Sequence, residues 1–524
     1  MSKLVLTRRS LLTRSAAAGL VGGLGGTGLV GGLARPALAQ SDLPDPQQVL
    51  DRISVEGYVR EDYRQLYNMT NEPLWDPAKD WIRTVDWEQV RSELAGTTVR
   101  FAIGAADQES AAAGLEPFEQ LSGIAVELVP IPDDSFYDKA VAEFISGNAS
   151  FDALQFFSPW LGDFAAPGFL YPLDEYAQKW ALPLDDFYDT YRLNYAYFGG
   201  QMVGIPFDCD IQMVHLRPSV VGQVLGVAPD GIDRWSSIPT YDELLRVSAE
   251  ANKLGGGVAG IGMLAARGFW STYTWEHIAA QHGLTLFDAD FRPQVNSEAG
   301  VRGLEMMLQL AQNAIEGASG AGWGENRAAW LGGQVATNIS WQDSGTQATR
   351  PDQSQIVGDA LTIYEPRVEG GTFAPPNVAG STSCVAATSQ NPEGAFLMLA
   401  FLTTSSIMAM NEANANGVAP GYRSVLTNPR LRAVSQPAEP WSTSLDYAWC
   451  APRIPGMNEM ELALGEEINR AVTGQVTAQE ALENGQAAWL AIMEKNGFFT
   501  DAQPVQFADV EPGLYQGAGK PLPF

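Results

Sequence analysis

Thr97-Thr98-Val99-Arg100-Phe101-Ala102-Ile103-Gly104 opens the stretch that decides the fold. It reads as a buried strand, the kind that helices cover on both faces of a sheet. Ala112, Leu115, Phe118 and Leu121 then recur at helical spacing over 109–121. A strand over 124–129, a helix near 136–145 and a third strand over 151–157 follow. Strand and helix alternating through short turns predict a doubly wound parallel sheet, an α/β fold. In such sheets ligands bind beyond the carboxyl ends of the strands. The loops there, 104–109 and 158–163, hold Asp107, Glu109 and Trp160. Carboxylates that accept paired hydroxyl donors, and a flat aromatic face, are what a neutral polyhydroxylated ligand needs. Asp107 and Glu109 also stand where a residue capping the helix start would stand.

Toward the N-terminus, residues 40–95 read as an extension. It has an acidic helical stretch over 45–67, then the extended, turn-rich Asn71-Glu72-Pro73-Leu74-Trp75-Asp76-Pro77. Before it, Arg8-Arg9 precede a weakly apolar stretch in which glycines recur from Gly19 to Gly32. Ala37-Leu38-Ala39 supplies small residues for a peptidase. This predicts a twin-arginine signal peptide over 1–39 and a periplasmic mature protein. The signal takes five basic residues and no acidic one with it, which moves the net charge from −29 to −34. Such a charge excludes nucleic acid, whose phosphates need Lys and Arg, and docking on anionic lipid.

Cys209, Cys384 and Cys450 are odd in number and widely separated, so no disulfide framework is expected. His277 and His282 stand five residues apart, where one helix face needs a spacing of three or four to hold zinc. No G-x-S-x-G elbow accompanies them. No metal, cofactor or catalytic residue is expected.

Seven further segments carry a resemblance, in order along the chain. Phe151-Asp152-Ala153-Leu154-Gln155 leads to Leu170-Tyr171-Pro172-Leu173-Asp174. Gly199-Gly200-Gln201-Met202-Val203-Gly204-Ile205-Pro206 is followed by Pro239-Thr240-Tyr241-Asp242-Glu243-Leu244. Next come the stretch from Trp330-Leu331-Gly332 to Ser340-Trp341, then Asn391-Pro392-Glu393-Gly394-Ala395. Gly417-Val418-Ala419-Pro420-Gly421-Tyr422-Arg423 and Gly474-Gln475-Val476-Thr477 to Ala481-Leu482 complete the set. Together, over about 97–497, they resemble the family 1 extracellular solute-binding proteins, the group of the maltose-binding protein. Val203 stands where that pattern often has Tyr, Tyr241 where it has Trp, and Trp330 where it has Phe.

The resemblance implies a two-lobed periplasmic-binding-protein fold, each lobe a doubly wound sheet, joined by hinge strands. Lobe one is placed at 96–207 and 364–402, lobe two at 209–363 and 404–497, with a tail over 498–524. The resemblance also points to pocket positions. Trp341, ending a strand before polar Gln342-Asp343, resembles the family's stacking aromatic, with a core tryptophan as the rival reading. Trp270, with Tyr273 beside it, opens a helix and faces the cleft. Asp208 and Asp210 alternate along the first crossing, where both share one face of an extended strand, and either contact ligand or hold hinge backbone. Gly380-Ser381 resembles the segment where backbone approaches the sugar. Arg423 either forks onto a ligand or pins the lobe through a salt bridge.

The function implied is the substrate-binding component of an ABC-type importer. It would capture a carbohydrate or polyol by lobe closure and deliver it, as a monomer and not an enzyme, to a membrane permease. Two other classes stay open: a sensor presenting its ligand to a membrane receptor, and a glycoside hydrolase with paired carboxylates. A hydrolase needs a carboxyl raised in an apolar pocket, whereas the candidates here have Asp, Gln, Ser and Gly as sequence neighbours.

Overall fold

The computed structural model describes residues 43–499 apart from 106, 148–149, 289 and 369–376. The expected signal peptide and nearly all of the tail lie outside the described residues. Ten strands follow in chain order: β1 (Thr98–Gly104), β2 (Ala125–Ile131), β3 (Ala153–Phe157), β4 (Tyr197–Phe198), β5 (Gln201–Met202), β6 (Gly204–Leu216), β7 (Ala259–Gly262), β8 (Val335–Trp341), β9 (Leu361–Ile363) and β10 (Val378–Val385). All but the short β4–β5 hairpin join one mixed sheet of order β2-β1-β3-β10-β6-β8-β7, with β9 also paired to β6.

The opening stretch forms as its pattern dictates. β1 pairs in parallel with β2 and β3, and the helix Gln108–Ser122 between them buries Ala111, Leu115, Phe118 and Leu121. Ala111, not the expected Ala112, starts that buried stripe; Ala112 is exposed. The helix stops at Gly123, whose φ of 72° is the left-handed cap that glycine takes without strain.

β6 decides the architecture. All thirteen of its residues are buried, because it has strands or covering side chains on every side. Its Gly204–Ile211 portion runs antiparallel to β10, and its Gln212–Leu216 portion antiparallel to β8. One strand therefore carries the sheet from one half of the molecule to the other. Each half has its own apolar core. Val99, Phe101, Phe118 and the run Phe396–Phe401 belong to the first; Val214, Ile261, Trp275, Ile339 and Trp489 belong to the second.

Two boundaries differ from expectation. Ile407, Met410, Leu431 and Trp441 pack in the first core, so most apolar side chains of 407–450 lie outside lobe two, to which the sequence assigns 404–497; Trp449 and the stretch from Met457 to Phe498 pack in the second core. The helix Ser405–Asn414 is buried along its whole length although it carries Ser, Asn and Glu, and Ile407, Met408 and Met410 supply its apolar contacts with the first core. The extension also belongs to the first core. Trp81 donates from Nε1 to the Trp180 carbonyl at 2.7 Å, and the Trp87 ring meets Phe118 and Phe401 edge-on at 6.5 and 6.1 Å. Its acidic stretch breaks into three short helices, Pro46–Arg52, Val55–Tyr58 and Glu61–Leu66. Cys209, Cys384 and Cys450 are buried and unpaired.

Candidate functional site

A cavity of about 230 Å³ is lined by residues of β1, β3, β6, β8 and β10 and of the loops that follow them. From the first half come Gly104 and Asp107, at the end of β1 and in the turn after it. Gln155 of β3 fixes both: its Oε1 accepts from the Gly104 N–H at 3.0 Å, and its Nε2 donates to Asp107 Oδ2 at 2.9 Å. Asp107 occupies the N-cap of the helix Gln108–Ser122, yet its side chain makes no capping hydrogen bond. Trp160, in the turn after β3, is buried edge-on against Tyr137 and Phe157 at 5.2 and 5.3 Å. Its Nε1 donor is buried without a hydrogen-bond partner among the described residues.

β6 supplies Asp208 and Asp210, which both line the cavity as strand alternation requires. Asp208 Oδ1 accepts from the Ala419 N–H at 2.7 Å, and Asp210 Oδ1 accepts from Gln342 Nε2 at 2.7 Å. Burial, then the neighbouring Asp210 and Asp107, push the Asp208 carboxyl well above the ordinary range. Burial, then Asp343, does the same to Asp210. The polar neighbours in sequence do not keep these groups ordinary, because desolvation outweighs them.

The second half adds aromatic faces. Trp341 closes β8, is 4% exposed, and meets Tyr273 edge-on at 5.9 Å. Trp270 opens the helix Phe269–Gln281 and packs on Phe269 at 4.5 Å; Phe157 of the first half meets Phe269 at 5.5 Å across the cleft. Trp323 and Arg327 lie one turn apart on the helix Trp323–Leu331, with the guanidinium 3.8 Å over the indole. Asp343 begins the short helix after β8, and its Oδ2 is buried without a hydrogen-bond partner among the described residues. Burial raises its carboxyl to about 7, although Arg327 pulls the other way.

A cleft of this kind, between halves that share a strand, sits in a chain whose residues 100–409, more than half its length, match the family described as bacterial extracellular solute-binding protein. The chain belongs to that family. This solute-binding protein is 25% identical over 445 residues to a probable amino-acid ABC transporter periplasmic-binding protein of Sinorhizobium fredii, a match covering 82% of this chain and 95% of the relative. Its fold is shared with maltose-bound MalE3 of T. maritima (TM-score 0.68, 21% identity, 75% of this chain and 100% of that one). The ribitol complex of an ABC transporter solute-binding protein from Agrobacterium radiobacter K84 is similar (TM-score 0.67, 22% identity, 75% and 98%). So is the D-mannitol complex of one from Agrobacterium vitis S4 (TM-score 0.65, 18% identity, 77% and 100%).

Of the positions singled out in the sequence of this solute-binding protein, Asp107, Trp160, Asp208, Asp210, Trp270, Trp341 and Ser381 line the cavity together. Four do not. Glu109 is exposed in the first turn of its helix. Tyr273 stands behind Trp341 with its hydroxyl 3.3 Å from Glu461 Oε2. Gly380 has φ 115°, and a Cβ there would lie 2.3 Å from the Asp208 carbonyl oxygen, so it serves the approach of β10 to β6. Arg423 is exposed and ion-paired with Asp446 at 2.7 Å. Reading by sequence missed Phe136, Gln155, Trp323, Arg327, Asp343 and Asn416. Asp343 had a signal: it is the second polar residue after the strand that ends in Trp341.

Proposed function

We propose that this protein captures a carbohydrate or polyol of about one sugar unit between its two lobes and delivers it to the permease of an ABC importer. The observation that carries the reading is a cavity combining four carboxylates with four indoles, Trp160, Trp270, Trp323 and Trp341. Carboxylates take up paired hydroxyl donors, and indole faces cover the C–H side of a sugar. The cavity's volume of about 230 Å³ lies below the ~300–1,000 Å³ of drug-sized sites, which favours one ring or an open-chain polyol over an oligosaccharide. Fold neighbours named for ribitol, D-mannitol and maltose support the class.

Closure around β6 as a hinge, and export on Arg8-Arg9, belong to the same proposal. Thermal-shift screening of a sugar and polyol panel tests it: at least one member should raise the melting temperature in a saturable way. A panel without effect would reject the ligand class. The buried, raised Asp208 and Asp210 carboxyls are also what a hydrolase would use. Incubation with each stabilising sugar glycoside should therefore release no product; saturable turnover abolished by Asp208→Asn would establish the enzyme instead.

A further inference from the structure

We infer that the ligand carries a protonated amine beside its hydroxyls, as an amino sugar or amino polyol does. This inference rests on the carbohydrate-or-polyol reading and narrows it. The cavity is lined by four carboxylates, Asp107, Asp208, Asp210 and Asp343, against one guanidinium, that of Arg327. They arrive from three separate places: the turn after β1, two alternate positions of β6, and the start of the helix after β8. Arg327 is already engaged, lying 3.8 Å over the Trp323 ring and donating to Gln347 Oε1 at 3.3 Å.

Asp343 supplies the independent sign of a ligand. It is 4% exposed and lines the cavity, and its Oδ2 has no hydrogen-bond partner among the described residues. A buried acceptor left without a donor is costly unless something arrives to satisfy it. A neutral hydroxyl would satisfy the oxygen but would strip water from four carboxylates without supplying counter-charge. An ammonium supplies both, with three donors to share among the four carboxylates. The indoles of Trp270, Trp323 and Trp341 add ring faces, which attract a cation within about 6 Å of their centroids. Burial, and then neighbouring carboxylates, push Asp208, Asp210 and Asp343 toward their neutral forms, and a bound cation would offset that push.

The test is calorimetric titration of the protein at pH 7 with matched pairs in which one hydroxyl is exchanged for an amine: D-glucose and D-glucosamine, D-galactose and D-galactosamine, sorbitol and glucamine. In the pair that binds, the amine should bind at least ten-fold more tightly. Asp343→Asn should reduce that preference about ten-fold, because it weakens the amine more than the neutral partner. Asp210→Asn gives a second reading if Asp343→Asn does not fold. Equal or tighter binding of the neutral partner overturns the amine and leaves the carbohydrate reading standing. Absence of binding by both members of every pair removes the carbohydrate reading, and the amine with it.

Discussion

Asp343 enters the cavity from the first turn of its helix, with its carboxyl raised by burial from the ordinary 3.8 to about 7. Arg327 and Ser344 lower it and Glu412 raises it. A folded-state value above the unfolded one means that the folded chain keeps a proton the unfolded chain has lost. The stability this gives is complete below the unfolded value and disappears as pH rises through about 7. Ligand-free Asp343→Asn should therefore be more stable than the parent at pH 8, by on the order of 1–3 kcal/mol. Near pH 4 the two should melt together. Melting curves at both pH values check this, and equal stability at pH 8 would mean that the carboxylate is not held against its will. Part of this residue's role was visible in sequence, since polar Gln342-Asp343 follows the strand of Trp341. Arg423 shows the opposite case. Its partner Asp446 lies 23 residues on, a separation that no local pattern reveals, so the sequence left ligand contact and salt bridge both open.

At the scale of elements, the sheet rests on the seam between β6 and β10. Gly380 makes that seam possible, since its φ of 115° and the 2.3 Å clash awaiting any Cβ leave no room for a side chain. Gly380→Ala should cost at least ~1–3 kcal/mol of stability, the usual scale for a residue held in such a conformation. Chemical denaturation measures it; a loss below a few tenths would show that β10 moves aside. The sequence pointed to Gly380 but attached it to the ligand, because a glycine signals close approach without saying of what. The extension poses a similar problem. Trp81 and Trp87 find their partners, Trp180, Phe118 and Phe401, far away in sequence, so no local pattern marks them as core. Tyr63 and Tyr67 flank the buried guanidinium of Arg350 at 4.7 Å each, and Tyr63 reaches Asp352 beside Arg60. Deleting 43–95 should uncover this core and abolish cooperative folding, as circular dichroism melting would report; a deleted chain that melts cooperatively would make the extension an accessory.

For the whole molecule, local periodicity was enough to read β1, β2, β3 and the helices between them, because each buries its apolar stripe against near neighbours in sequence. The return of 407–450 to the first core was not legible. Its apolar residues fit either half, and packing against Phe187, Tyr191 and the extension, all distant in sequence, decides between them. The same distinction holds for the cavity. Asp208 and Asp210 follow from alternation along a strand, whereas Trp323, Arg327 and Phe136 come from helices that sequence alone places on no particular wall. In the proposed function these dispersed residues form one binding site for a small polyhydroxylated ligand, with Trp341 in its lining. Trp341 is both 4% exposed and packed on Tyr273, so its loss should register in stability as well as in binding. The most direct measurement is isothermal titration of the parent protein and of folded Trp341→Ala with the panel sugar or polyol that stabilises the parent best. The parent should show saturable one-to-one binding, and the variant a loss of about 2 kcal/mol, roughly 30-fold. An unchanged dissociation constant in a variant whose melting temperature has fallen would make Trp341 a core residue and place the ligand elsewhere.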